Sequence, residues 1–78
     1  MSPKLPIITP AELIRALERS GYVKHRSKGS HIMYRHPNSP DRLVCIPFHR
    51  KDLSPNTLSR ILQQAGINAD MLMEMLKK

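Results

Sequence analysis

The chain has 78 residues, with 13 Lys and Arg against 6 Asp and Glu and a net charge of +7. That is room for one small domain with a thin core, and the excess of positive charge favours a polyanionic partner: nucleic acid, an anionic membrane surface or an acidic protein. No apolar run approaches the ~20 residues of a spanning helix, the start MSPKLPIITP lacks the continuous apolar stretch of a secretory signal, and a lone Cys45 excludes an intramolecular disulfide and points to a reducing cytoplasm.

Residues 1–8 read as a loose, flexible arm. TPAE, residues 9–12, then carries the signals of a helix start. Thr9 is the N-cap, Pro10 takes the first helical position and Glu12 closes a capping box. Leu13, Ile14 and Leu17 share one face of this helix, and Gly21 suits the left-handed residue that follows its end. From Tyr22 to Cys45 the period falls to two. YVKHRS and SHIMYRH read as strands joined by a tight turn at Lys28-Gly29, PNSPD (37–41) as a polar loop, and RLVCIPF as a third strand. Pro47, lacking an N–H, predicts an edge or a bulge near that strand's end. Ser54 and Pro55 open a second helix with Leu58, Ile61, Leu62 and Ala65 as its buried stripe. Gly66 stops it, and Asn68 caps a last short helix with Met71, Leu72, Met75 and Leu76 on its apolar side. The expected fold is an α+β sandwich, α-β-β-β-α with a short C-terminal helix. Its three-stranded antiparallel sheet has helices on one face, leaving the other face wet.

With Lys28 and Gly29 as the loop, antiparallel pairing sets Arg26 opposite His31 and Val23 opposite Tyr34. Val23, Ile32 and Tyr34 then join Val44, Ile46 and Phe48 in the core. Lys24, Arg26, His31, Met33 and Arg35 share the wet face, a cationic patch holding one titratable imidazole. A slip of one residue would exchange the faces, so this grouping depends on the turn. On spacing alone, an ordinary exposed histidine on a solvated strand is the stronger reading of His31. His25 and His36 have the parity of the packed face, and His49 in FHRKD lies beyond strand three. The four histidines show no HxH, HxxxH or Cys/His spacing of a zinc site, and no metal or cofactor is expected.

The ordered set Gly21, Tyr22, Arg26, Lys28, Gly29, Ser30, His31, Tyr34, Val44, Ile46, Pro47, Leu53, Thr57, Leu58, Ile61 and Leu62 resembles the HicA family of bacterial toxins from type II toxin–antitoxin systems. The resemblance runs from about Ala11 to the C-terminus, so residues 9–78 are expected to be a single HicA-like domain. Ser27 stands where the family usually has Gln, and Cys45 where Thr is common. The resemblance implies a double-stranded-RNA-binding-domain-like fold and an mRNA interferase activity with His31 catalytic. It also implies a HicB-type antitoxin as the protein partner.

Such an activity suits the residues. RNA carries its own nucleophile, the 2′-OH beside each phosphate, so cleavage needs a base, an acid and positive charge, and in principle no metal. A histidine titrates near neutral pH and serves as base or acid. Lys24, Arg26, Lys28, Gly29, Ser30 and Arg35 are the residues expected to bind RNA, with His49 the weak candidate for a second proton-transfer group. An acidic antitoxin laid over this face would exclude RNA by shape and charge. Two other classes stay open: a non-catalytic RNA-binding module of the same fold, and a DNA-binding helix-turn-helix built from the last two helices. Against the latter, Leu58, Ile61 and Leu62 are needed for the core.

Overall fold

A computed structural model describes residues 5–77. The elements run α1 (Pro10–Arg19), β1 (Val23–Lys28), β2 (His31–His36), β3 (Ser39–Pro47), α2 (Pro55–Ala65) and α3 (Ala69–Lys77). The strands form one antiparallel sheet in the order β1-β2-β3. This α+β arrangement is that of a double-stranded-RNA-binding-like domain.

Local chemistry explains the helix ends. The Glu12 N–H donates to Thr9 Oγ1 at 3.2 Å while Glu12 Oε1 accepts from the Thr9 N–H at 3.0 Å, a closed capping box. That backbone hydrogen bond, followed by the Thr9 side chain, holds the Glu12 carboxyl below its usual range. Ser54 Oγ caps α2 by accepting from Thr57 N–H at 3.2 Å, and Asn68 Oδ1 caps α3 by accepting from Met71 N–H at 2.8 Å. Gly66 ends α2 in the left-handed conformation at φ 73°. Arg42 Nη1 lies 3.4 Å from both the Gln63 and Gln64 carbonyls, placing a cation at that negative helix end.

The core joins Leu13, Ala16 and Leu17 of α1 to Tyr34 of β2, Val44 and Ile46 of β3, Leu58, Ile61 and Leu62 of α2 and Leu72 of α3. Tyr34 is 3% exposed, and its hydroxyl donates to Glu18 Oε2 at 2.7 Å, tying β2 to α1. Burial, the hydrogen bond to Glu18 and that residue's charge push the Tyr34 phenol up to about 12. Residues 1–4 of the expected arm lie outside the described residues. Beyond them, Ile8 is buried in the core and its carbonyl accepts from Leu53 N–H at 2.8 Å.

Three expectations for the sheet are corrected. The first is the hairpin loop, which is Gly29-Ser30 and not Lys28-Gly29: Lys28 pairs with His31, Ser27 with Ile32 and Arg26 with Met33. Gly29 has φ 60° and no other residue of the hairpin has positive φ. A two-residue turn with the glycine first and an ordinary residue second matches type II′, whereas Lys28-Gly29 in a type I′ turn would force Lys28 to positive φ. Secondly, a β-bulge between Lys24 and Arg26 shifts the pairing again, so that Lys24 faces Tyr34 and Val23 faces Arg35. Val23 is therefore 55% exposed and not core, and every β1 residue is exposed, because the helices cover β2 and β3 and leave β1 overhanging. Phe48, just past the end of β3, is 48% exposed and also lies outside the core. Thirdly, PNSPD is mostly strand: the turn is Pro37-Asn38, and β3 already begins at Ser39.

Candidate nucleic-acid interface and cleft

Residues directly paired across a sheet share a face. On β2 the outward residues are His31, Met33 and Arg35. Their partners are Lys28, Arg26 and Val23 on β1, and Pro47 and Cys45 face His31 and Met33 from β3. His31 is exposed at the start of β2, with Lys28 directly across and Arg26 diagonal to it. The Gly29-Ser30 loop adjoins it. The structure thus brings together His31, Arg26, Lys28, Gly29 and Ser30.

Two expected members separate from them. Lys24 falls on the register position of buried Tyr34, on the far side of the bulge. Arg35 keeps the right face, but four strand residues put it about 13 Å along β2 from His31. The remaining histidines are placed differently again. His36 Nδ1 accepts from Asn38 N–H at 3.1 Å, so Nε2 carries the proton and donates to the Ser20 carbonyl at 3.1 Å. Its ring stands edge-on to Tyr22, centroids 5.0 Å apart. Its bonding capacity is spent inside the fold. His25 lies at the bulge and is exposed, as is His49 in the loop before α2. Among the described residues no group of three or more His, Cys, Asp or Glu side chains is placed to hold a metal ion.

The outer face is not uniformly open. α2 packs along β3 and turns a polar side toward that face, enclosing a cleft of about 290 Å³ lined by His31, Cys45, Pro47, Thr57, Arg60, Ile61 and Gln64. The Cys45 N–H, on the free edge of β3, donates to Gln64 Oε1 at 2.9 Å and pins the helix there. The chain reverses between Pro47 and Pro55, so α2 runs back along β3. Arg60, four residues before Gln64, lies about 6 Å back along the helix, while Pro47 lies about 7 Å on from Cys45 along the strand. Arg60 is therefore level with Pro47 and with its pair partner His31.

Sequence reasoning passed over Arg60 and Gln64, and took Thr57 only as part of the family pattern. Their signal was present as a polar i, i+3, i+7 stripe beside the apolar one, but an exposed polar stripe on a helix usually faces only water. The cleft sets an imidazole on one wall and a guanidinium on the other, with Lys28 and Arg26 beside them. Such a set suits a phosphodiester: cations to hold it and a nitrogen base to move a proton.

The family model described as the HicA toxin of bacterial toxin-antitoxin systems matches residues 10–67. No curated protein matches the chain significantly. The matched stretch opens with α1, takes in all three strands and the KGSH turn, and closes just beyond the helix that walls the cleft, so the chain belongs to the HicA toxin family.

Proposed function

We propose that this HicA-family toxin is an endoribonuclease that cuts messenger RNA at the cleft between the outer sheet face and α2. The observation that carries the reading is the placement of His31 opposite Lys28 and on the same cleft as Arg60. His31, as general base, removes the 2′-OH proton. The oxygen attacks the adjacent phosphorus, the P–O5′ bond breaks, and the leaving oxygen takes a proton from water or from the imidazolium just formed. The products are a 2′,3′-cyclic phosphate and a free 5′-OH. Arg60, Lys28 and Arg26 hold the phosphate and offset the charge that grows on its oxygens in the transition state.

A HicB-type antitoxin with an acidic contact surface fits the same face, where it would cover the cations and the cleft mouth together. The cytoplasm, where messenger RNA is met, is the expected compartment.

The test is cleavage of single-stranded RNA by purified protein in the presence of a chelator. His31 is exposed, so His31→Ala should keep its circular dichroism and melting temperature while losing about 10²–10⁴ in rate, the usual contribution of a general base. Undiminished cleavage by the folded variant would remove His31 from the chemistry. Binding without cleavage by the wild type would leave a non-catalytic RNA-binding module.

A further inference from the structure

We infer that Gln64 selects the base beside the scissile phosphate, taking a keto base (uracil or guanine) over an amino base (cytosine or adenine). The inference rests on the ribonuclease reading of the cleft and names the specificity residue of that site. Gln64 lines the cleft from α2 and is half-buried. An amide side chain usually offers either of its ends to a ligand, because a flip exchanges oxygen and nitrogen. At Gln64 the flip is blocked. The Cys45 N–H donates to Oε1 at 2.9 Å, and a flipped amide would set an NH₂ group against that N–H. Among the described residues the Gln64 side chain makes this one hydrogen bond, so Nε2 keeps both protons for the cleft. The cleft wall therefore presents a donor of fixed polarity, held to the edge of a β-strand.

Its position suits a base and not a phosphate. Gln64 lies one helical turn from Arg60, on the side away from the His31 end of the cleft, with Cys45 and Ile61 making the neighbouring wall apolar. A phosphate held by Arg60 leaves the base of the adjoining nucleotide against this wall. The space, about 290 Å³, is near the lower end of small-molecule sites (about 300–1,000 Å³). It admits one splayed-out base, the form in which single-stranded RNA is read by sequence. A donor pair meeting a carbonyl oxygen is satisfied, whereas meeting an exocyclic amine leaves donors facing donors.

The experiment measures the affinity of 2′-O-methyl oligonucleotides, which lack the nucleophile and are bound without being cut, with the base varied at each position in turn. Wild type should prefer a keto base at one position by about five- to hundredfold, the range of a base-edge contact. Gln64→Glu keeps an oxygen for the Cys45 N–H but offers an acceptor to the base, so the preference at that position should reverse. Gln64→Leu should lose it. The comparison is among bases within one variant, so the added negative charge cancels. A wild type without base preference, or a folded Gln64→Glu protein with the wild-type profile, overturns the inference. Reversal of the profile in a protein that never cuts native RNA would keep Gln64 as the base-reading residue and remove the ribonuclease reading. An unchanged profile in an enzyme that does cut would remove Gln64 alone.

Discussion

Alanine at Gly21 should cost the fold more than alanine at Gly29, although both replace a glycine of positive φ. Gly21 has φ 98°, and a Cβ there would lie 2.9 Å from Nε2 of His36. Gly29 has φ 60°, and a Cβ there would meet nothing within 4 Å. An L residue in left-handed backbone costs about 1–2 kcal/mol. At Gly29 that backbone cost is the whole effect, about 1–2 kcal/mol, because the first residue of a type II′ turn takes a conformation that favours glycine while a Cβ there displaces nothing. At Gly21 the His36 ring must also retreat. That breaks its donation to the Ser20 carbonyl and loosens the Asn38 N–H held by Nδ1, adding about 0.5–1.5 kcal/mol for each bond lost. Gly21→Ala should therefore lose about 2–4 kcal/mol in all.

Urea unfolding of the two variants beside wild type measures both costs. In a domain of this size each kcal/mol should also lower the melting temperature by about 4–8 °C. Equal costs at the two positions would refute the packing of His36 against Gly21. Gly29→Ala has a second use. It should stay folded, since its Cβ displaces nothing, and where circular dichroism and unfolding show that it does, a fall in RNA affinity reports on contact at the turn.

Other outcomes follow from the register and from Tyr34. Arg26→Ala and Lys28→Ala should each weaken RNA binding and lower the magnitude of the salt slope by about one, whereas Lys24→Ala, across the bulge, should change the slope little; titrations at several salt concentrations decide it. Stability should also fall in alkali. The Tyr34 phenol sits at about 12 in the fold against an ordinary 10.0, so its stabilisation is complete below pH 10, declines through pH 10–12 and is gone above. The loss should be about 1–2 kcal/mol once screening by water at exposed Glu18 is allowed for. Between pH 9 and 12 the unfolding free energy of wild type should fall relative to that of Tyr34→Phe by that amount, and parallel curves would sink the expectation.

Much of this architecture is written in short stretches of chain. The Thr9-Glu12 box, the Ser54 and Asn68 caps and the Gly66 stop are contacts within four residues, so the helix ends follow from local sequence. The period-two run from Tyr22 likewise announces strands, and the KGSH turn announces a hairpin. The resemblance to the toxin family rested on the same stretches, and the family match bears it out.

Pairing and exposure needed the assembled sheet. Two residues of apolar type, Val23 and Phe48, read as core because hydrophobicity says what a side chain prefers and not what stands above it. The helices reach only β2 and β3, so β1 has nothing to bury against. The turn was misplaced by one residue, since a glycine shows that positive φ is available without saying whether it comes first or second in the loop. A bulge beside His25 then undid the alternation, which keeps Arg26 with His31 and sends Lys24 away.

What sequence by itself determined here is the set of elements, their order, the buried stripe of α2 and the cationic character of the His31 strand face. These depend on periodicity and on bonds between near neighbours. Met71, expected on the apolar side of α3, is 48% exposed. Only the tertiary structure decided that Lys28 faces His31, and that α2, tied by Gln64 to the edge of β3, brings Arg60 to the opposite wall. Cys45 and Gln64 lie 19 residues apart. No local preference encodes their meeting; it follows from the shared core that leaves α2 one place to pack.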